Sequence, residues 1–289
     1  MASAPTLVVL AAGVGSRYGG LKQLAEVSDA GHALMDYAVY DALRAGFERA
    51  VFVVSAGSEE AVRAHVEEGC ARHVDVRYAR QESGARPKPW GTGHAVLTAR
   101  PFVEGPFGVV NADDYYGSRS FSILADGLSE QDERHVLVAY TLRDTLSPHG
   151  GVSRGLCLLN EQGDNLKRVV ELHDVRASES GVTSADPEWR DLTGDELIST
   201  NLWGFRPAFF DVLDGQFTAF QSEHASDEKA EFFIGSAVNT LIERGQAGVK
   251  VLRTPEQFFG MTFQEDLAGV QGQLAARIEA GDYPSHLWD

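Results

Sequence analysis

Lysine is scarce in this sequence. Only Lys22, Lys88, Lys167, Lys229 and Lys250 occur among the 25 basic residues of a 289-residue chain. Cysteine is scarcer still: Cys70 and Cys157 lie far apart, without metal-ligand spacing. That excludes a disulfide framework and a cysteine zinc site, and predicts free thiols in a reducing compartment. Long apolar runs are missing; none approaches the ~18 residues that a membrane-spanning helix needs. The opening "MASAPTLVVLAAG" has no basic residue before its apolar stretch, which runs straight into glycines. A first strand is expected there, not a secretory leader, and with it a soluble cytoplasmic protein. Positive charge is in deficit overall, with a formal net charge of −17. Such a surface argues against nucleic acid and against anionic membranes as partners. An anionic small ligand would need local cations or a bound metal.

What is present is 43% apolar residues, ample for a full core. "TLVVLA", "RAVFVVS", "VDVRYAR" and "FGVVNADD" read as strands; "ALMDYAVYDALRAGF", "SEEAVRAHVEEG" and "TGHAVLTAR" read as helices between them. The alternation predicts an α/β fold with a predominantly parallel mixed sheet flanked by helices. In the second half, "HVLVAYTL", "GLCLLN", "LKRVVEL" and "LISTNLWGF" are strand-like, while His173 to Asp195 reads as a polar surface excursion. "EKAEFFIGSAVNTLIERG" predicts a helix, "VKVLRT" a strand and "QEDLAGVQGQLAARIEAG" a closing helix. No repeat or flexible linker separates the halves. Residues 1–289 are expected to form one domain, with 1–118 and 119–289 as its two halves.

The most informative stretch is "LAAGVGSRYGGLKQL", Leu10 to Leu24. Four glycines, an arginine and a lysine follow a buried strand, where free backbone N–H groups can face an anion. It is not a Walker loop, because Leu21 follows Gly20. It is not a dinucleotide fingerprint, because Tyr18 takes the third glycine's place. In such sheets ligands sit beyond the carboxyl ends of the strands. "NADD" ends another strand, so the two are expected to face each other.

"LAAGVGSR…LKQL" resembles the signature of the sugar-1-phosphate nucleotidylyltransferases, nucleotidyltransferases with a Rossmann-like, glycosyltransferase-A type fold. "WGTGHAV", Trp90 to Val96, resembles their base-contacting loop, as found in uridylyl- and thymidylyltransferases. "NADDYYG", Asn111 to Gly117, resembles their metal-binding turn, and "VVE" with "STNLWGF" their sugar-contacting strands. The resemblance implies that the backbone of Leu10, Ala11, Ala12, Gly13 and Gly15 holds the nucleotide. It implies that Arg17 clamps the triphosphate and that Lys22 bridges the α-phosphate and the incoming phosphate. The short spacing from Arg17 to Lys22 resembles the relatives that handle methylerythritol and molybdopterin nucleotides. Gln81, Gly91 and Thr92 would meet the base, with a glutamine amide suited to a pyrimidine imide edge. Arg86 and Lys88, in an insertion between Gln81 and Gly91, are candidates to reach phosphates. His94 is expected to play a structural hydrogen-bonding part.

Asp113 is the implied ligand of a Mg²⁺ cofactor, which favours few carboxylates plus substrate phosphates; Asp114 is expected to be a turn cap. The family's second ligand, from a late strand, has no counterpart in "FFGMTFQEDL". Asp266 is the reserve candidate, although a carboxylate there also suits a helix cap. Gly155, Glu171 and Asn201 are the sugar-side candidates, with Gly150 and Gly151 as rivals of Gly155. The family's lysine after the glutamate is Leu172 here, leaving Lys229 as a substitute. The resemblance thus implies condensation of a nucleoside triphosphate, UTP or dTTP, with a sugar 1-phosphate. A cytidylyltransferase acting on phosphocholine or a similar phosphate, and a non-catalytic nucleotide-sugar-binding regulator, are the alternatives. A homo-oligomer is compatible with the sequence.

Overall fold

The computed structural model describes residues 3–13, 20–84, 86–129, 132–179 and 181–289. Its first half alternates as the apolar pattern predicts: β1 (Thr6–Leu10), α1 (Leu34–Arg44), β2 (Arg49–Val54), α2 (Glu59–Glu68), β3 (Asp75–Arg80), α3 (Thr92–Thr98), β4 (Phe107–Asn111), then the short β5 (Asp114–Tyr115), α4 (Ser118–Ser129) and β6 (His135–Thr141). β1 lies between β2 and β4, and β3 lies beyond β2, all parallel. β1 is buried along its whole length, as an unalternating apolar run requires when helices cover both faces.

The second half is built differently. It runs through β7 (Val152–Leu159), β8 (Leu166–Ser178), β9 (Gly181–Thr183), β10 (Asp191–Leu192), β11 (Leu197–Ser199) and β12 (Trp203–Phe205), then α5 (Phe209–Glu223), α6 (Ile234–Glu243), β13 (Val249–Arg253), β14 (Phe259–Gly260) and α7 (Asp266–Glu279). Among the described residues one sheet joins both halves, in the order β10-β9-β8-β7-β11-β6-β12-β4-β1-β2-β3, with β13 parallel to β6. β12 is the seam: it pairs antiparallel with β4 on one side and with β6 on the other. β5 and β14 form a separate two-stranded ladder.

The structure corrects three expectations. The excursion from His173 to Asp195 is mostly sheet: β8 runs on to Ser178 and pairs with β9, which pairs with β10. Its buried anchors include Val175, Val182 and Leu192, but the arm exposes most side chains and carries no alternating apolar signal. The helix expected from Glu228 begins only at Ile234. Phe232 is held outside it: its N–H donates to the Trp90 carbonyl at 2.7 Å, and its carbonyl accepts from Gly93 N–H at 2.8 Å. Helices α4 and α5 add to the elements that the apolar pattern predicts.

Two cores cover the faces of the sheet. A third gathers Tyr37, Tyr115, Met261, Leu274, Tyr283 and Leu287 under the C-terminal segment. There the Tyr283 hydroxyl is hydrogen-bonded to Tyr115 at 2.9 Å and donates to Asp41 at 2.7 Å. The short strand β5 is thereby braced from behind by α1 and the C-terminal segment. No helix among the described residues is long and apolar enough to cross a membrane.

Candidate active site

The carboxyl ends of β1, β3 and β4 open onto a pocket of about 600 Å³. Leu10, Ala11, Ala12 and Gly13 form one wall. Gln23 supports that wall: it is 3% exposed, and its amide donates to the Ala11 carbonyl at 3.0 Å. Gln23 is not among the residues that the motifs single out, although its place directly after Lys22 is a usable signal. Arg17 and Gly15 lie outside the described residues.

Lys22 and Asp113 line the same pocket and form an ion pair with each other. The two residues are 91 positions apart in the chain. The lysine of the glycine-rich stretch and the first carboxylate of "NADD" thus meet, as strand-end geometry predicts. Their side chains are 25% and 18% exposed, so each can exchange its partner for a ligand.

Across the pocket lie Gln81, Gly91 and Thr92. Gln81 is buried, and its amide nitrogen donates to the Gly91 carbonyl at 2.9 Å. Gly91 has φ +100°, and a Cβ there would fall 2.7 Å from the Phe232 carbonyl oxygen. Only glycine meets both demands. The insertion is pinned rather than loose. The Arg86 guanidinium donates to the Ala230 carbonyl at 2.6 Å and lies over the Trp90 ring, 3.8 Å from its centroid. Arg86 is therefore committed to holding the loop. Lys88 and Glu231 line the pocket.

A second pocket, of about 150 Å³, adjoins the first. Ser199, Gly155 and Glu171 stand in one row across β11, β7 and β8, and all three line it. A Cβ on Gly155 would meet Val169 at 2.7 Å and Ser199 at 3.2 Å, so the row closes only around glycine. Gly150 and Gly151 do not line this pocket. Glu171 is exposed at the edge of the pocket, yet desolvation by the surrounding protein raises its carboxyl, against the pull of His173 and Arg154. Asn201 faces both pockets. It takes a left-handed backbone, φ +67°, uncommon outside glycine though tolerated by Asn. Its side-chain oxygen accepts from the Trp203 indole at 3.2 Å.

Asp114 is not a turn cap. It lies in β5, lines the second pocket, and accepts from the Asn111 amide at 2.8 Å. Burial, then the charge of Asp113, raises its carboxyl to about 7. Arg154, which no motif in the sequence marks, also lines this pocket. Its guanidinium is held by the Thr145 hydroxyl at 3.1 Å, the Thr145 carbonyl and the Ser153 carbonyl at 2.8 Å.

Asp266 and Lys229 are not brought to the site. Asp266 lines neither pocket. One of its oxygens accepts from the Thr262 and Phe263 N–H groups at 2.9 and 2.7 Å and the other from Ser147 at 2.9 Å, so it ties down the loop that leads into α7. Lys229 is exposed and lines neither pocket. Leu172 is fully buried on the opposite face of β8 from Glu171, so no side chain at that position reaches the second pocket. Opposite Asp114, the late strand β14 presents Gly260.

Residues 7–141 match the family described as a MobA-like NTP transferase domain. No curated protein matches the chain. Similar solved structures include the inositol-1-phosphate CTP transferase from T. maritima, with TM-score 0.65, 16% identity, and coverage of 96% of this chain and 98% of that one. A UDP-glucose pyrophosphorylase complexed with UDP-glucose has TM-score 0.66 and 18% identity, covering 95% and 100%. A putative glucose-1-phosphate thymidylyltransferase from Bacillus anthracis has TM-score 0.65 and 13% identity, covering 93% and 95%. At such identities the likeness is one of fold. The family match spans β1 to β6 and contains most of the larger pocket, so residues 7–141 are similar to a MobA-like NTP transferase domain, and the chain as a whole has the Rossmann-like fold of these solved nucleotidyltransferases.

Proposed function

We propose that this protein is a nucleotidyltransferase that condenses UTP or dTTP with a sugar 1-phosphate, giving an NDP-sugar and pyrophosphate, with Mg²⁺ as cofactor. The observation that carries the reading is the shared wall: Thr92, Asn111 and Asn201 line both pockets. Two ligands seated in them would meet beside Lys22 and Asp113. The larger pocket falls within the 300–1,000 Å³ typical of small-molecule sites.

An oxygen of the acceptor phosphate attacks the α-phosphorus. The bond from that phosphorus to the bridging oxygen breaks, and pyrophosphate leaves with the electron pair. Both reactants are anions, so catalysis rests on positioning and charge neutralisation. Lys22 supplies a preorganised cation by exchanging Asp113 for phosphate oxygens. Arg17 is assigned to the triphosphate by resemblance alone. Asp113 is the residue that would hold Mg²⁺. The lining suits that ion: Asp113 presents a carboxylate beside Lys22, with Glu231 the other acidic residue of the pocket, and Mg²⁺ takes its remaining ligands from phosphate and water. Bound there, Mg²⁺ would neutralise phosphate charge.

On the acceptor side, Glu171 and the Asn201 amide offer hydrogen-bond acceptors to hydroxyl groups. The Arg154 guanidinium is engaged with Thr145 and Ser153, so a second anionic group on the acceptor is poorly served. A hexose 1-phosphate fits this chemistry better than a uronic acid phosphate.

The test is a matrix of nucleoside triphosphates against phosphorylated acceptors, read by pyrophosphate release with and without Mg²⁺. Release from UTP or dTTP with a hexose 1-phosphate, dependent on Mg²⁺, is the expected result. Release only from CTP, with phosphocholine or an inositol phosphate, would replace this reading with the cytidylyltransferase one.

A further inference from the structure

We infer that His94 is a positioning residue that decides which atom of the Gln81 amide faces the base, and so makes the slot select an imide, as in uracil or thymine, over cytosine. The inference rests on the proposed assignment of the larger pocket to a pyrimidine nucleotide.

Contacts to Gly91 and His94 fix the orientation of the amide. The Gly91 carbonyl can only accept, so the Gln81 atom 2.9 Å from it is the amide nitrogen. The same nitrogen lies 3.3 Å from His94 Nδ1. With one amide hydrogen on Gly91, the other is directed at Nδ1, which must carry a lone pair. His94 is therefore neutral, with its proton on Nε2. Burial supports this by lowering the pKa of His94 to about 4. Both donors of the amide are then used. The Gln81 side-chain oxygen has no hydrogen-bond partner among the described residues. It is also not among the buried polar atoms cut off from solvent. It is the part of the amide left to meet a ligand.

A flipped amide would bring its oxygen against two lone pairs at once, those of the Gly91 carbonyl and of His94 Nδ1. Gly91 alone supplies half of that opposition; His94 supplies the rest. The imidazole is itself held by stacking on Phe217 of α5, with centroids 4.3 Å apart and planes 12° apart. An oxygen presented to position N3 of the base accepts the N–H of uracil or thymine. On cytosine it meets a lone pair.

The experiment compares kcat/KM for UTP and CTP in wild type, His94→Leu and His94→Asn, with thermal melting of each. Leu removes the lone pair and keeps bulk against Phe217. Asn places an amide oxygen near the position of Nδ1 and keeps the acceptor. Wild type is expected to favour UTP by about tenfold or more, the scale of one buried hydrogen-bonding mismatch. His94→Leu should bring the ratio to within about threefold of unity, and His94→Asn should restore most of it. A UTP preference that persists unchanged in a folded His94→Leu protein overturns the role of His94 and leaves the nucleotide assignment standing. If His94→Leu does not fold, the Asn variant decides: loss of preference there also overturns it. A wild type that favours CTP overturns both.

Discussion

Replacing Asp41 with Asn is expected to remove a pH dependence of stability, by an amount the burial of this carboxyl sets. Asp41 lies on α1 and is 2% exposed. One oxygen accepts from Tyr283 at 2.7 Å, and the other is buried without a partner among the described residues. Burial raises its pKa to about 7, against the pull of the Tyr283 hydrogen bond and of the Arg44 and Arg277 charges. In the unfolded chain the same group titrates near ~3.9. Below about pH 4 both states hold the proton. Between about pH 4 and 7 only the folded state holds it, so stability falls as pH rises; above about pH 7 both are ionised and the loss is complete. At ~1.36 kcal/mol per unit the whole span is about 4 kcal/mol, and about 3 kcal/mol of it falls between pH 5 and 8. Urea-unfolding free energies across that range, in wild type and Asp41→Asn, measure it. Asp114, also raised to about 7, titrates in both proteins and cancels in the difference. Wild type should lose about 3 kcal/mol more than the variant as pH rises. Parallel curves would show that Asp41 is ionised in the folded protein well below pH 7, and that burial does not govern its titration.

Lys22→Ala should lower kcat by roughly 10²–10³ with melting unchanged, the usual consequence of losing one preorganised donor to transition-state charge; steady-state pyrophosphate release checks it, and near-wild-type turnover would remove Lys22 from the chemistry. Asp113→Asn should abolish activity at ordinary Mg²⁺ concentrations, whereas Asp266→Asn should leave the Mg²⁺ titration in place and lower the melting temperature, because its carboxylate accepts from backbone N–H groups. Phe233, the one large apolar side chain exposed among the described residues at 39%, lines the smaller pocket. Phe233→Ala should raise KM for the acceptor several-fold and leave KM for the nucleotide alone; an equal rise in both would place it elsewhere than at the acceptor.

The first half is legible in the sequence because its signals are local. Unbroken apolar runs mark β1, β2 and β4, and glycines mark where the first helices stop. Lys22 and Asp113 can be brought together from strand-end geometry alone. The second half resists because its signals are relational. Glu171 points into a pocket and Leu172 into the core, a difference set by the pairing register of β8 with β7. Helix α5 does carry helical spacing, with Phe209, Phe210, Leu213 and Phe217 buried, and is readable in principle. "DEKAEFF" has the composition of a helix start, but pairing of Phe232 with Trp90 and Gly93 overrides it. The Gln81–His94 contact has no sequence signal, since it depends on where α5 sets Phe217.

The antiparallel seam at β12 bears on how such an enzyme can change its substrate. Parallel strands deliver the wall of the larger pocket through their ends and loops, where a substitution disturbs the backbone itself. Ser199, Gly155 and Glu171 instead form a transverse row of side chains on a paired surface, with backbone hydrogen bonds running independently of them. Such a row can be rewritten one position at a time. Under the proposed assignment of the two pockets, an evolving lineage, or a designer, could alter the acceptor by exchanging those side chains while leaving the larger pocket untouched. Gly155 is the exception, because any larger residue would first need room made at Val169.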